Sequence, residues 1–522
     1  MNLDATRTKA RPAAQPGRAR SSSDRIGPDD PRYGDLTAKR FNKRFFGRPD
    51  YYRLVGSTEA TVEAVQDAVR EGLRLVAQSG GHGLEGFVAE PDVRVVIDTS
   101  PMSGVAYDPD MAAFAVEAGT TVGEMVRKLY LGWGVTVPAG ESPEIGVGGH
   151  ILGGAFGFFC REHGLAVDHL YGVEVVVVDE TGSARTVVAT REPSDPNREL
   201  WWAHTGGGGG NFGIVTRYWF RSPGGPTNPE ESLPRAPASA TIFRAEWSWD
   251  DVDESAFTRL AGNFGAWCEE NSDPDSPLAR LFGTLFLRRR PYGKVELKGL
   301  STAGPEAEQL IEQLLAAVRD GVDASYVLDL ERRTWLGFAL DPFPELFRAA
   351  SGDTLLKGKD AFLRKSFTNE QLAIAHRHLA PAGSEVPGGM LGLATYGGRV
   401  NAVDQDATAS PQRDSILTTA CVVGWQDPAE EARSLAWVRA LYRELFADTG
   451  GVPVPGERYD GAMINHPDVD LADPDWNASG VPWHAFYYKH NYPRLQRVKA
   501  RWDPLDVFRH ALSIRADRKE GP

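Results

Sequence analysis

The chain has 522 residues, enough for two domains and a large apolar core. Its 41% hydrophobic and 25% charged residues are ordinary for a globular protein. The formal net charge of −14 argues against nucleic acid and against an anionic membrane surface as partners. No apolar run has the length that crosses a membrane, so no membrane partner is expected.

Three cysteines, Cys160, Cys268 and Cys421, are scattered and form no CxxC pair. This pattern fits neither a disulfide framework nor a zinc site, and no metal is expected. It suits a reducing compartment, so we expect a cytoplasmic protein. Residues 1–31 are rich in Arg, Ala, Ser and Pro without an apolar core, which predicts a disordered tail rather than a secretory signal.

The first predicted helix covers residues 58–72, with Ser57 as its N-cap and apolar residues at helical spacing. Short strands are predicted at 74–77, 93–98 and 112–118, followed by a helix over 121–133. Strands that alternate with helices in this way indicate an α/β or α+β domain.

A glycine cluster directly follows the strand at 74–77. Ser79, Gly80, Gly81 and Gly83 surround one imidazole, that of His82. Glycines let the backbone turn tightly, and their bare N–H groups can hold an anion such as a pyrophosphate. The alternative is a turn whose histidine only packs against its neighbours.

Two more glycine clusters follow, at 137–157 and 201–215. The third contains a formal G-x-G-x-x-G at Gly208, Gly210 and Gly213. A Rossmann fingerprint needs a helix after these glycines, but residues 214–220 are β-branched and aromatic and predict a strand. The sequence has no P-loop motif either.

A breaker-rich segment at 222–229 predicts a domain boundary. Beyond it, strands at 240–249 and 417–424 and helices at 250–271, 304–318 and 427–446 indicate an antiparallel sheet backed by helices. The chain ends in an aromatic and basic stretch whose short helix stops at Asp503 and Pro504.

Five motifs in this order resemble those of the berberine-bridge-enzyme-like oxidoreductases, within the vanillyl-alcohol-oxidase-type flavoproteins. They are SGGHGLEGF, GVGGHILGGAFG, VEVVVVD, GGGGGNFGIVT and YYKHNYPRLQRVKARWDPLDVF. The resemblance implies an α+β fold in which a two-part FAD-binding module holds an inserted substrate domain of antiparallel sheet and helices. The expected parts are the FAD module at 32–225, the substrate domain at 226–482 and the return to the FAD module at 483–522.

The resemblance also assigns residues to the cofactor. It implies a covalent bond between His82 and the 8α-methyl carbon of the flavin, and a donor at His150 near the flavin N1. The pyrophosphate and the rest of the FAD would be held by Ser79, Gly80, Gly81, Gly83, Ser142, Gly148, Gly149, Gly153, Asn211, Val215, Tyr488 and Asn491.

One departure from the family concerns flavin attachment. Many members attach the flavin a second time, through a cysteine in a G-x-C-P segment, where this chain has GESP at 140–143. The hydroxyl of Ser142 cannot replace a thiolate in that chemistry. Cys160 is expected to be a small buried hydrophobe. A single covalent link, through His82 only, is therefore expected.

A second departure concerns the base that takes the substrate's hydroxyl proton. The family's alcohol oxidases use tyrosines where this chain has Phe156 and Met463, and neither can accept a proton. Other candidates are Tyr396, Asn465 as a positioning residue, His466 and His484. In an extended segment His466 would point away from Met463, whereas a turn near Pro467 would restore it.

These observations predict an FAD-dependent oxidase that oxidises a small organic substrate (an alcohol, a sugar or a natural-product intermediate) with dioxygen and releases hydrogen peroxide. The alternatives are a flavin dehydrogenase or oxidative cyclase with a non-oxygen acceptor, and a catalytically degenerate flavin-carrying protein. The sequence does not predict an oligomeric state.

Overall fold

The computed structural model describes residues 25–343, 354–383 and 388–517. In these ranges the α-helices, labelled α1 to α13 in chain order, are Arg32–Ala38, Thr58–Arg70, Val122–Trp133, Val147–His150, Cys160–His163, Arg198–Ala203, Glu254–Glu270, Ala307–Val318, Trp335–Leu340, Asn369–Leu379, Glu431–Leu445, Trp483–Tyr488 and Tyr492–Trp502. No helix in these ranges is both long and apolar enough to span a bilayer.

The strands of the same ranges form three sheets. Labelled β1 to β15 in chain order, they are Tyr51–Leu54, Leu75–Gln78, Val95–Asp98, Val105–Asp108, Ala113–Glu117, Leu170–Val178, Ala184–Thr190, Ile214–Phe220, Ser239–Trp247, Leu281–Arg288, Val295–Ser301, Tyr326–Thr334, Leu355–Leu363, Met390–Thr395 and Leu417–Trp425.

The first sheet is parallel, with strand order β1-β3-β2. Helix α2 connects β1 to β2, and the Ser57 side chain caps it by accepting a hydrogen bond from the Ala60 N–H. Its buried residues, Ala64 and Val65 among them, pack in one apolar cluster with this sheet. The packing fixes β2, which ends at Gln78, immediately before the first glycine cluster.

The second sheet is antiparallel, with strand order β4-β5-β8-β6-β7. Its central strand β8 begins at Ile214, directly after the third glycine cluster. The prediction of a strand at this point is confirmed, and with it the rejection of a Rossmann fingerprint.

The third sheet is antiparallel and has seven strands, in the order β12-β9-β11-β10-β14-β15-β13. Helices α7, α8, α10 and α11 pack together against it, with α8 on β11 and α11 on β13 and β15. Residues of β10, β14 and β15 line a cleft shared with the glycine clusters. The predicted antiparallel sheet backed by helices is therefore present in the middle of the chain.

The C-terminal segment packs against the third glycine cluster. The Lys499 ammonium on α13 donates to the Asn211 carbonyl at 2.9 Å and to the Asp503 carboxylate at 2.6 Å. The Ile514 N–H donates to the Asn211 side chain at 2.8 Å. These buried contacts fasten the end of the chain to the part of the protein that holds the glycines.

The predicted disordered tail extends too far toward the C-terminus. Ile26 exchanges backbone hydrogen bonds with Tyr52 at the edge of the first sheet, and it is buried. The Arg25 guanidinium also pairs with Glu71 and lies over the Tyr51 ring, so contacts of both residues hold the start of this segment on the first sheet. Residues 1–24 of the predicted tail lie outside the described residues.

Candidate functional site

A cleft of about 550 Å³ lies between the glycine clusters and the seven-stranded sheet. Its volume is typical of sites that take a small molecule or cofactor. One side of the cleft is formed by the backbone of the three glycine clusters, and the facing side by β10, β14, β15 and a segment around residues 463–467. The cleft therefore brings many of the predicted cofactor residues together with Asn465 and His466.

The first glycine cluster forms a tight turn in which there is no room for side chains. A Cβ on Gly80 would lie 2.4 Å from the Gly146 nitrogen, so the first and second clusters pack backbone against backbone. Gly81 has φ of +77°, the left-handed region that favours glycine, and its carbonyl accepts a hydrogen bond from the Phe41 N–H at 2.9 Å. The close fit fixes the turn that presents His82.

His82 lies on the cleft wall, as the first cluster predicts. The Phe41 ring stacks on its imidazole with centroids 5.0 Å apart and planes inclined by 15°. Burial lowers the His82 pKa, although the Glu144 charge opposes that effect. A neutral imidazole offers a ring nitrogen with a free lone pair, which is the form required to bond an electrophilic carbon.

The second cluster presents His150 in a defined tautomer. The Gly140 N–H donates to His150 Nε2 at 2.8 Å, so this nitrogen is an acceptor and Nδ1 carries the proton. Burial, followed by the charges of His466 and His82, lowers the His150 pKa to about 3. The imidazole is neutral around pH 7, and Nδ1–H is the donor it can offer.

Ser142, the predicted substitute for a second attachment residue, also lies on the cleft wall. Its hydroxyl donates to the Glu144 carboxylate at 2.8 Å. Cys160 is fully buried nearby, and burial holds the pKa of its thiol well above the ordinary range. Neither side chain offers a thiolate to the cleft.

The glycine side of the cleft fits a dinucleotide cofactor. A Cβ on Gly149 would meet no atom within 4 Å, and Cβ atoms on Gly83 and Gly209 would first meet protein at 3.6 Å, although all three residues line the cleft. Side chains there would fill the cleft rather than the core. The absence of side chains leaves backbone open to a ligand, and N–H groups in such turns bind phosphate oxygens.

The facing side of the cleft is mostly apolar. Phe156 and Met463 line it, at the two positions where the resemblance places tyrosines. The described lining residues include no tyrosine, and those on the sheet strands carry no charge; these strand residues are Thr284, Phe286, Met390, Gly392, Ala394, Thr418, Thr419 and Ala420.

A turn brings His466 onto the cleft wall beside Met463. The His466 N–H donates to the Met463 carbonyl at 2.9 Å, which closes a turn one residue before Pro467. Of the two alternatives for this segment, extended or turned near Pro467, the structure has the turn. The physical reason is this backbone hydrogen bond.

The His466 ring approaches a buried carboxylate from inside the cleft. Its Nδ1 lies 3.5 Å from Asp360 Oδ2, and 47% of the His466 side chain is open to the cleft, against 3% for Asp360. Burial within the protein disfavours the charged ring, but hydrogen bonding to Asp360 and the charges of Asp360 and Glu141 outweigh it and raise the His466 pKa. The pair has the geometry of a base held by an orienting carboxylate.

Sequence reasoning missed two carboxylates, Asp360 and Glu141. Asp360 is the sixth residue of β13, where its charge within a buried strand was the available signal. Glu141 lies on the cleft wall between Gly140 and Ser142. Burial raises its pKa to about 7, although the His466 charge opposes the shift.

Asn465 lies on the cleft wall, where its side chain connects the 463–467 segment to the second glycine cluster. Its side-chain oxygen accepts from the Ala155 N–H at 3.1 Å, and its amide donates to the His150 carbonyl at 3.0 Å. A Cβ on Gly153 would lie 2.3 Å from the Asn465 amide nitrogen, so Gly153 allows this contact and does not itself line the cleft.

Tyr396 lies behind the wall rather than on it. It is fully buried, and its hydroxyl donates to the Gln412 carbonyl at 3.2 Å. Burial raises its pKa well above the ordinary range. His484 also lies off the wall, with its ring stacked on Tyr492 at 3.7 Å. Both placements argue against these residues as the base.

The predicted cofactor residues of the third cluster and the C-terminus also fall into two groups, those on the cleft wall and those behind it. Val215 lines the cleft, whereas Asn211, Tyr488 and Asn491 do not. The Asn211 amide donates to glycine carbonyls of its own cluster, and the Tyr488 hydroxyl donates to the Gly207 carbonyl at 2.9 Å. Asn491 donates to the Gln405 carbonyl at 2.9 Å. The resemblance places Tyr488 and Asn491 against the ligand. In the structure their side chains instead support the loops around the cleft.

A buried network of charges ties the His82 loop to the His466 segment. The Lys357 ammonium on β13 pairs with Glu85, three residues after His82, and with Asp468 at 2.7 Å. Lys359 pairs with Asp468 and with Asp470, the latter at 2.9 Å. Through these ion pairs, strand β13, which also carries Asp360, connects the two sides of the cleft.

Comparisons with known proteins agree with this geometry. Residues 49–187 match the family described as FAD binding domain, and residues 462–515 match the family described as berberine and berberine like. Over 499 residues the chain is 50% identical to an aclacinomycin-N/aclacinomycin-A oxidase of Streptomyces galilaeus, an alignment that covers 95% of this chain and 90% of that protein.

Two further similarities concern sugar oxidation. The chain is 29% identical over 533 residues to a hexose oxidase of Chondrus crispus, with 93% of each chain covered. The solved structure of a glycopeptide hexose oxidase in complex with teicoplanin superposes with a TM-score of 0.89 at 46% identity, and covers 94% of this chain and 98% of that one. The predicted fold class is confirmed.

Proposed function

The chain belongs to the berberine-bridge-enzyme-like family of FAD-dependent oxidoreductases, and from that premise we propose that it is an oxidase of natural-product or sugar alcohols. The observation that carries the proposal is the shared cleft, with His82 and His150 on the glycine side and the His466–Asp360 pair facing them. The oxidase names of two relatives support dioxygen as the acceptor.

The residues that would hold FAD are those of the glycine side. The backbone of the first and third clusters suits the pyrophosphate, and His82 would form the covalent bond to the flavin. The Nδ1–H of His150 would face the part of the flavin ring where negative charge develops. When bound, FAD supplies two-electron chemistry: it accepts a hydride equivalent from the substrate and returns the electrons to dioxygen.

A single covalent attachment, through His82, is part of this proposal. Ser142 replaces the cysteine that many members use, and its hydroxyl is engaged with Glu144. The buried, strongly basic thiol of Cys160 is a poor nucleophile toward any ring in the cleft.

His466 would be the general base. The imidazole takes the hydroxyl proton as the carbinol carbon gives up its hydride, and the Asp360 carboxylate stabilises the imidazolium that forms. Asn465, held at both ends by backbone groups, keeps the His466 turn against the His150 helix. Phe156 and Met463 exclude water and leave proton removal to His466.

The overall reaction balances without another reagent. The alcohol loses two electrons and two protons and becomes a carbonyl compound, and dioxygen takes up both and leaves as hydrogen peroxide. The similarity to enzymes that act on aclacinomycins and on a glycopeptide supports a sugar or alcohol group of a natural product as the substrate.

The experiment that tests this function is a substrate screen with the purified yellow enzyme. Glycosylated natural products and free sugars are mixed with it anaerobically, and bleaching of the visible flavin band marks a substrate. Admitting air should restore the band with one hydrogen peroxide formed per carbonyl product. Bleaching that air does not reverse would indicate a dehydrogenase, and no bleaching by any alcohol would contradict the proposal.

A further inference from the structure

The Glu141 carboxylate lies in the same cleft without any assigned role. The backbone before it is fixed, because the Gly140 N–H donates to His150 and a Cβ on Gly157 would lie 1.9 Å from the Ala139 carbonyl oxygen. The segment before Glu141 is therefore packed tightly against the turn that carries Phe156. Glu141 itself lines the cleft.

Among the residues that the structure describes, the carboxylate has no hydrogen-bond or ion-pair partner, although it is only partly open to the cleft. Desolvation is the main influence on it, and it raises the pKa to about 7. A partly buried acid that the protein leaves uncompensated is costly to ionise unless a ligand supplies a compensating positive charge.

The charges around Glu141 leave the substrate side of the cleft negative. Of the described residues, His466 is the cation whose charge lowers the Glu141 pKa, and the charge of His466 is already balanced by Asp360 behind it. The sheet residues that face the cleft are uncharged, and the lining arginines, Arg40 and Arg509, lie on the cofactor side. Two carboxylates thus share one imidazolium, and a second cation would complete the site.

We propose that Glu141 binds an ammonium group of the substrate, which makes the substrate an amino alcohol or amino sugar. This inference rests on the proposed function, because the carbinol that faces His466 is the group oxidised. The ammonium anchors the molecule beside Glu141, and the hydroxyl is presented to the imidazole. The two contacts fix both the position and the orientation of the carbinol carbon.

The test uses a matched pair of probes, choline and 3,3-dimethylbutan-1-ol, which differ in one atom, a quaternary nitrogen against a carbon. Both are titrated into the intact yellow enzyme under anaerobic conditions, and binding is measured by calorimetry and by the flavin difference spectrum. We expect choline to bind the wild type about tenfold or more tightly than its neutral isostere.

Glu141→Gln should abolish this preference and leave the affinity for 3,3-dimethylbutan-1-ol unchanged. Glu180→Gln is the control, because Glu180 is an exposed acid that does not line the cleft. It should keep the preference. Retention of the covalent flavin and of the far-ultraviolet circular dichroism spectrum shows that each variant is folded.

The pH dependence gives a second readout. Choline carries a fixed charge, so its affinity should rise with pH as Glu141 ionises near pH 7. His466 has a raised pKa, and loss of its proton acts with the same sign, whereas Cys160 behind Glu141 stays a neutral thiol and His150 stays neutral. The part of the rise that Glu141→Gln removes belongs to Glu141.

Equal affinity of the wild type for the two probes would overturn the inference, as would a preference that survives Glu141→Gln. A shifted flavin spectrum in Glu141→Gln with an intact choline preference would also overturn it, and would place the carboxylate against the flavin. Since binding is measured without turnover, these outcomes are separate from failure of the oxidase proposal, which the substrate screen reports.

Discussion

The imidazole of His466 and the carboxylate of Asp360 meet across a cleft wall, with Nδ1 and Oδ2 3.5 Å apart. They lie 106 positions apart in sequence, on a turn and on strand β13, respectively. The same Asp360 oxygen accepts a hydrogen bond from the Met463 N–H at 3.3 Å, so the carboxylate holds the turn as well as the ring. In the proposed function this pair takes the role of the tyrosines, which are absent from the described lining of the cleft.

Asp360→Asn should lower the pH at which flavin reduction becomes fast. The Asp360 charge and hydrogen bond raise the His466 pKa, so removing the charge lets the ring lose its proton at a lower pH. Because the neutral ring is the base, the midpoint of the rate increase moves down, and the plateau falls by about tenfold or more as orientation is lost. Stopped-flow reduction across pH measures both, and an upward or absent shift would count against the pair.

Acid-precipitated wild-type protein should stay yellow, and His82→Ala should release its flavin into the supernatant. Ser142→Cys should add a second link, because residue 142 lies on the cleft wall near His82. Mass spectrometry of tryptic peptides identifies the attachment sites. Flavin found on Cys160 would contradict the single link, since that thiol is buried and its pKa is raised by burial.

His150→Ala should slow flavin reduction by about 100-fold, the effect of removing one preorganised donor from developing negative charge. The flavin reduction potential should become more negative, which can be measured by dye-coupled titration without a substrate. The wild-type rate should show no titration of His150 between pH 5 and 9 — its pKa is lowered to about 3. A folded His150→Ala protein that is reduced at the wild-type rate would exclude this role.

Lys357→Met should destabilise the protein by about 3–5 kcal/mol, because it leaves the buried carboxylates of Glu85 and Asp468 without their shared cation. Lys365→Met is the control. Its pair with Glu457 is exposed, with 46% and 86% of the two side chains accessible, and solvent screening should leave it with little effect on stability. Denaturant unfolding compares the two, and equal losses would refute the importance of the buried network.

Local sequence patterns predict the structural features that depend on residues close together in the chain. The three glycine clusters, the cap at Ser57 and the strand after Gly213 are short-range features, and the structure has each of them. The placement of His82 and His150 on one cleft follows from clusters that pack backbone against backbone, as the Gly80–Gly146 contact shows.

The remaining features depend on contacts between distant residues. Nothing near Asp360 in the sequence indicates that β13 passes beneath the His466 turn. Nothing near Tyr396 indicates that its hydroxyl donates a hydrogen bond to the Gln412 carbonyl. The same holds for Tyr488. The resemblance places its side chain against the ligand, whereas in the structure its hydroxyl donates to a carbonyl of a glycine loop. Side-chain direction at these positions is decided by packing between modules.

The most direct test of the account is the pH dependence of anaerobic flavin reduction, measured with the first alcohol that the screen identifies. Wild type should show a sigmoidal rise whose midpoint lies above the ordinary histidine pKa, because His466 must be neutral to act and Asp360 raises its pKa. Tyr396→Phe should keep this profile. His466→Gln should lose the rise and fall by about 100-fold or more. A His466→Gln profile that stays within about tenfold of wild type at every pH would contradict the assignment of His466 as the base.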